Sequence, residues 1–263
     1  MSIIYNLSAL PANVHAAIVG DAKLTSLFSR KPDKMLSIGL DAKTVKGEKK
    51  GFITAIMYLA PYNLSGVNVC AMAALARCDK ACLNTAGQGS MSNVQFARLR
   101  KTLFFFQYQS EAIALIKADI AAAKAKADKA NSPLLVRLNG TSDIRFENYG
   151  IIQSFPNIQF YDYTKLPNRK NIPANYDLTF SYSGIADFLP FVNKAIETGM
   201  RVAAVFRSRS MVIDMLQQGK TFLGLPLVDG DDTDIRHLDP AKSVVALYAK
   251  GKAKFDQTGF VIG

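Results

Sequence analysis

LLVRLNGTSDIRFENYGIIQSFPNIQFYDYTK, residues 134–165, is the stretch that decides the fold. Two short apolar runs, LLVRLNG (134–140) and IQFYDYTK (158–165), bracket a helix-like segment, ENYGIIQSFPN (147–157). Strand, helical crossover and strand together make a right-handed unit with parallel strands. Downstream the alternation continues through YDLTFSYS (176–183), RVAAVFRS (201–208) and VVALYAKG (244–251), with GIADFLPFVNKAIETG (184–199) and SMVIDMLQQG (210–219) as helical segments between them. Upstream, GFITAIMYLAP (51–61) is apolar at nearly every position, the pattern of a strand buried on both faces. The fold expected is α/β, a complete or partial TIM-like parallel β/α barrel.

Residues 1–50 read as an N-terminal helical and hairpin extension, and residues 51–263 as the core. In the extension Val14, Ala17, Ile18, Leu24, Leu27 and Phe28 fall at helical spacing. Met35 to Leu40 then forms a strand that returns through the turn KGEKKG (46–51) into a strand over Phe52 to Leu59. Ser90 or Ser92 is placed to cap a helix beginning near Asn93, and helical character runs to residue 130 with a break near Gln109 and Ser110. No linker rich in Gly, Ser or Pro and no internal repeat divides the chain, so its 263 residues form one domain.

Hydrophobic residues make up 49% of the chain, which supplies a full core and excludes a disordered or disulfide-stapled protein. No apolar run is long enough to span a bilayer, and the N-terminus lacks the basic start of a signal peptide. A cytoplasmic protein without a membrane partner is expected. Thirty-two Lys and Arg against 21 Asp and Glu give a net charge of +11, which favours a polyanionic partner, nucleic acid first; DNA is the nucleic acid expected.

The three cysteines, Cys70, Cys78 and Cys82, lie close together in a loop that follows the 51–61 strand. That grouping in a cytosolic chain points to a metal rather than a disulfide framework. Three thiolates can hold three irons of a 4Fe–4S cluster and leave the fourth open. Alternatively they bind zinc, with His237 as fourth ligand. Their loop would open where the other strands end in polar clusters, and in parallel α/β folds ligands bind at those carboxyl ends. Asn139, Gly140, Thr141 and Ser142 form a turn suited to a polar cofactor or substrate. Asp143 closes that turn, while Asp162 is a candidate base or nucleophile and Lys165 a group that lowers its pKa or binds an anion. Arg98, Arg100 and Lys101, with Arg207 and Arg209 at another strand end, are candidate phosphate contacts. The glycine loop around Gly87 and Gly89 reads as a turn before the helix. The acidic run VDGDDTDIRHLDP (228–240) reads as a solvated loop, because Pro240 stands where a calcium loop needs glutamate.

PYNLSGVNVC (61–70), CLNTAGQGSMSNVQFARLRKT (82–102), RLNGTSD, FYDYTK and VVALYAKGKAKFDQTGF (244–260) together resemble a widespread bacteriophage family of three-cysteine proteins with no settled activity. More distantly, the order strand, three-cysteine loop, helix and glycine-containing turn resembles radical S-adenosylmethionine enzymes. That likeness implies an iron–sulfur cluster on Cys70, Cys78 and Cys82, with S-adenosylmethionine near the Asn139–Ser142 turn. Ala81 stands where those enzymes carry an aromatic before the last cysteine. A third likeness is to the barrel-shaped guanine transglycosylases, which implies Asp143 or Asp162 as nucleophile and base reader and a structural zinc on the cysteines and His237. The expectation drawn from all this is a phage metalloenzyme that modifies nucleic acid. The alternatives are a transglycosylase inserting a 7-deazaguanine into DNA, or a non-catalytic nucleic-acid-binding protein.

Overall fold

The structure is a computed structural model, and it describes residues 2–39 and 50–263. Nine strands form one mixed, mostly parallel sheet in the order β1-β2-β3-β4-β5-β6-β9-β8-β7. These are β1 (Leu36–Ile38), β2 (Ile53–Met57), β3 (Leu134–Arg137), β4 (Gln159–Thr164), β5 (Tyr176–Ser181), β6 (Val202–Phe206), β7 (Thr221–Phe222), β8 (Leu225–Asp229) and β9 (Val244–Tyr248). β2 through β6, β9 and β8 run parallel, while β1 and β7 pair antiparallel at the two edges. The strands expected from the sequence all form. The β1–β2 hairpin aligns Leu36 with Met57, and most of its KGEKKG turn, with Lys46 and Lys49, lies outside the described residues.

Six α-helices lie among the described residues: α1 (Ala12–Gly20), α2 (Ala22–Phe28), α3 (Ser92–Gln107), α4 (Gln109–Lys129), α5 (Leu189–Glu197) and α6 (Arg209–Gln217). The weakly helical N-terminus is thus two helices, and Asp21 starts the second by accepting the amides of Lys23 and Leu24 at 2.7 and 3.0 Å. The break in the long helical stretch falls at Tyr108. Neither Ser90 nor Ser92 caps α3: Met91 holds the cap position, and Ser90 donates to the carbonyl of Gly87 instead. Along α4, Ala112, Ile116, Ile120, Ala123 and Ala127 recur at helical spacing and are all fully buried.

The crossovers depart from the expected repeat. ENYGIIQSFPN forms two short 3-10 turns, because Gly150 enters the left-handed region at φ 65° and ends the first. The β4–β5 connection contains no helix at all. The β7–β8 hairpin was not expected from the sequence. Its turn is carried by Leu223 (φ 56°) and Gly224 (φ 72°), and leucine is an unusual residue there.

Registered partners on parallel strands point to the same side of a sheet. One face carries Ile53, Ala55, Met57, Leu134, Val136 and Phe160 against the N-terminal segment, α3 and α4. It continues as Phe180, Val202, Ala204, Phe206, Val244 and Ala246, which pack with residues of α5 and α6. The second face carries Leu135, Arg137 and Tyr161, covered by residues 230–240 through Ile235 and Asp234. Towards the carboxyl ends it carries Val205, covered by Ala81 of the cysteine loop and by Ala253, Phe260 and Val261. Among the described residues no helix is long and apolar enough to cross a membrane.

Candidate functional site: the thiol rim

Hydrogen bonds tie the loop between β2 and α3 across several strand ends. Thr141 Oγ1 donates to the carbonyl of Leu59, and the Asp143 amide donates to that of Val69. Farther across, Ser183 Oγ donates to Ala76 at 2.8 Å, and the Lys252 amide donates to Thr85 Oγ1 at 3.3 Å. The loop is therefore a strap over the carboxyl rim, reaching from β2 past β5 to the turn after β9. Gly140 lets it sit this low: its amide bonds Met57 O at 3.0 Å, and a Cβ there would meet that oxygen at 2.7 Å.

Cys70, Cys78 and Cys82 are free thiols, each partly buried under this strap. Cys70 Sγ lies 3.8 Å from Thr141 O, and Cys78 Sγ 3.7 Å from Ala73 O. Burial pushes the Cys70 thiol up to about 12, and Asp143, Cys82 and Cys78 push in the same direction. Cys78 and Cys82 are raised too, again by burial first, with Lys165 opposing at Cys78 and Arg98 at Cys82. The three sulfurs thus feel one another's charge. Asp79 Oδ1, which lies near Cys78 and Cys82, is buried without a hydrogen-bond partner among the described residues.

Asp143 and Lys165 stand at the same rim. The carboxylate of Asp143 accepts the Lys165 amide at 2.8 Å and faces Arg169 Nη1 at 3.4 Å; burial raises its carboxyl. Lys165 Nζ donates to Ser181 O, Ser181 Oγ and Tyr182 O at 3.1, 3.0 and 3.4 Å, between the rings of Phe188 and Phe260. Burial lowers Lys165, while Cys78, Asp143 and Cys70 favour its charged form. Its three donors are satisfied, so it serves the rim as a fixed positive charge.

The Asn139–Ser142 turn is built from its own side chains. Asn139 Oδ1 accepts Ser142 Oγ and the Ile144 amide at 2.7 and 2.8 Å, and Asn139 Nδ2 donates to Ile144 O at 2.9 Å. Beneath it lies Asp162, with no exposed surface. Its carboxylate accepts the amides of Leu138 and Asn139 at 3.1 and 3.0 Å and the Tyr176 hydroxyl at 3.0 Å. Asp162 is therefore no base at the rim but the anchor of the turn. The period of two had already set it on the opposite face from Tyr161 and Tyr163, and those rings flank Arg137 instead.

Burial raises the Asp162 carboxyl from 3.8 to about 6, against the opposing pull of Arg137, the Asn139 amide and Tyr176. Folded chains therefore keep this proton over a pH range in which unfolded chains have released it. The stability contributed by Asp162 is full below the unfolded value of 3.8 and is lost as pH rises through about 6. In urea titrations at a series of pH values, the wild type should lose stability over that window relative to Asp162→Asn, which has no proton there to lose. A difference that stays flat across the window refutes the assignment.

Several expected site residues stand elsewhere. His237 packs against Phe52 and Tyr161, with ring centroids 6.4 and 5.7 Å away, and it feels Asp177 and Arg201 at the amino ends of β5 and β6. It is at the end of the sheet opposite the thiols, which removes the three-cysteine, one-histidine zinc set. The transglycosylase reading loses that zinc site and also Asp162 as a rim carboxylate. Arg100 Nη1 donates to Leu27 O at 3.1 Å and Lys101 Nζ to Met35 O at 2.8 Å; burial pulls Lys101 down to about 8. Both stabilise the N-terminal segment and are not a phosphate clamp. Arg98 bonds Asn84 and lies over the Tyr58 ring, with Gly89 packed tightly between Asn84 and Arg98. Arg207 braces the chain after β9, and Arg209 is exposed. The acidic run is not simply solvated: Asp231 pairs with Lys250, Asp232 with Lys50, Asp234 with Arg137 and Asp239 with Arg236.

Among the described residues, no group of three or more His, Cys, Asp and Glu side chains is arranged to hold a single metal ion. The thiols are near enough for the charge of one to act on another, and thiolate is the donor that an iron–sulfur cluster takes. Three thiols share one rim, a buried carboxylate oxygen beside two of them lacks a partner, and Lys165 and Arg98 supply positive charge. Sequence reasoning missed Asp79, Arg169 and Glu147. Asp79 was readable as the acid directly after Cys78, whereas the other two gave no local signal.

These features define an α/β protein whose thiols and charged groups gather at the carboxyl ends of a mostly parallel sheet. The chain belongs to a phage-type family described as gene product 88, whose model matches residues 30–262. Comparison with curated proteins gives no match, and neither does comparison with solved structures.

Proposed function

We propose that this protein is a metal-dependent enzyme acting on nucleic acid, with Cys70, Cys78 and Cys82 holding an iron–sulfur cluster at the mouth of a partly closed, barrel-like sheet. The reading is carried by one observation: all three thiols of the chain share a rim with Asp143 and Lys165, while His237 lies at the other end. A cluster held by three protein thiolates supplies one iron position open to a cofactor such as S-adenosylmethionine or to a substrate. The remaining roles belong to this chain. Lys165 and Arg98 offset the negative charge of the thiolates. The Asn139–Ser142 turn, fixed from below by Asp162, offers the Thr141 carbonyl beside Cys70 as a contact for a polar ligand. Asp143 is the carboxylate available at the mouth to bind or hold a proton. Curling of the sheet is supported by the two segments that cover its second face from opposite ends. Nucleic acid as partner is supported by the net charge of +11.

Iron and acid-labile sulfide analysis of protein purified without oxygen tests this reading. The expected result is about four of each per chain and absorbance near about 400 nm. Both should fall to background in Cys70→Ala, Cys78→Ala and Cys82→Ala. A colourless wild-type chain carrying zinc alone, or no metal, overturns the proposal.

A further inference from the structure

The stretch GKAKF, residues 251–255, carries alternating lysines that the rim chemistry leaves unused. It forms a single 3-10 turn directly after β9. With three residues per turn, side chains three apart eclipse, so Lys252 and Phe255 share one side. Ala253 faces inward, buried with Ala81, Phe260 and Val261. The turn is tied down at every point. Gly251 adopts φ 56° against the cysteine loop, where an added Cβ would meet the Ala86 Cβ at 2.9 Å. Arg207 donates to the carbonyls of Lys254 and Asp256 at 3.1 and 2.8 Å. The Asp256 carboxylate accepts Thr258 Oγ1 and the Val261 amide at 2.7 and 3.0 Å. This bracing leaves Phe255 80% exposed, the highest value among the large exposed apolar side chains of the described residues. Lys252 and Lys254 beside it are exposed as well.

An aromatic ring held out in water beside two exposed cations matches the chemistry of a single nucleic-acid strand, which offers a flat base to stack and phosphates to neutralise. We propose that Phe255 is a stacking platform for an unpaired nucleobase, with Lys252 and Lys254 holding the neighbouring phosphates. The inference rests on nucleic acid being the partner and adds the form it takes: a single strand, led along the 251–255 turn to the thiol rim.

Fluorescence anisotropy with a labelled single strand of about 15 nucleotides, and with an abasic strand of the same length, tests it. For the normal strand Phe255→Ala should weaken binding about tenfold, while Phe255→Trp should retain it. On the abasic strand Phe255→Ala and wild type should bind alike, because only the base is stacked. Lys252→Ala with Lys254→Ala should weaken both strands and reduce the salt slope by roughly two. If Phe255→Ala binds the normal strand as the wild type does, or weakens both strands equally, the platform is refuted and the nucleic-acid reading stands. If the wild type binds no strand at low salt, both fail. Concentration-dependent self-association that Phe255→Ala abolishes would assign the ring to an interface between copies and overturn the proposal.

Discussion

Arg137→Met should lower unfolding stability by about 3–5 kcal/mol, the range for breaking a buried ion pair from one side. Arg137 is 1% exposed, on the sheet face opposite α3 and α4. Its Nη1 meets Asp234 Oδ2 at 2.6 Å, its Nε lies 3.7 Å from Asp162 Oδ1, and the rings of Tyr161 and Tyr163 flank the guanidinium. Methionine fills much of the volume but leaves two carboxylates without their cation, so the cost is electrostatic rather than a cavity. Two consequences separate that cause from mere loss of packing. Asp162 should titrate above its value of about 6, since Arg137 is the foremost group holding it down. The double variant Arg137→Met with Asp234→Leu should recover part of the loss, because it removes one stranded charge. Urea denaturation of the three proteins checks this, and a single variant within about 1 kcal/mol of wild type would show the pair to be dispensable.

That pair also marks where sequence reading stops. Arg137 and Asp234 are 97 residues apart, and nothing local to either announces the other. The acidic run reads as solvated because two of its partners, Arg137 and Lys250, are brought to it by the sheet and not by the chain, while Arg236 pairs with Asp239 inside the run itself. The strands themselves were legible, since β2 to β6 and β9 are apolar runs closed by polar residues, and strands consecutive in sequence lie side by side from β1 to β6. Legible too was the gathering of the cysteine loop, the 139–143 turn and Lys165 at one rim, because strand ends in a parallel sheet share an edge. Asp162 misled for the converse reason. Being next to a strand end suggested a reactive carboxylate, but the pleat turns it inwards beneath the turn it supports. The β3–β4 crossover was read as helical from its apolar spacing, yet Gly150 and Pro156 punctuate it into 3-10 turns.

Arg169→Met should cost about 3–5 kcal/mol and should also disturb the rim. Arg169 lies in the helix-free β4–β5 connection, with its side chain 1% exposed over the Tyr176 ring. It makes a two-pronged bond to Glu147, Nε to Oε1 at 3.0 Å and Nη2 to Oε2, and its Nη1 reaches Asp143 at 3.4 Å. One guanidinium therefore serves two buried acids and clips the β4–β5 connection to the segment after β3. Arg169→Lys should keep the charge but lose the fork, and so should fall between wild type and methionine. The rim readout distinguishes this residue from Arg137. Without Arg169 the Asp143 carboxyl loses an opposing cation and shifts further upward, since burial already raises it. A carboxyl-carbon NMR titration should therefore show Asp143 moved upward in Arg169→Met and little changed in Arg137→Met. Equal shifts in both variants would mean that Asp143 responds to general loosening of the fold, and that Arg169 holds the connection without setting the charge at the mouth.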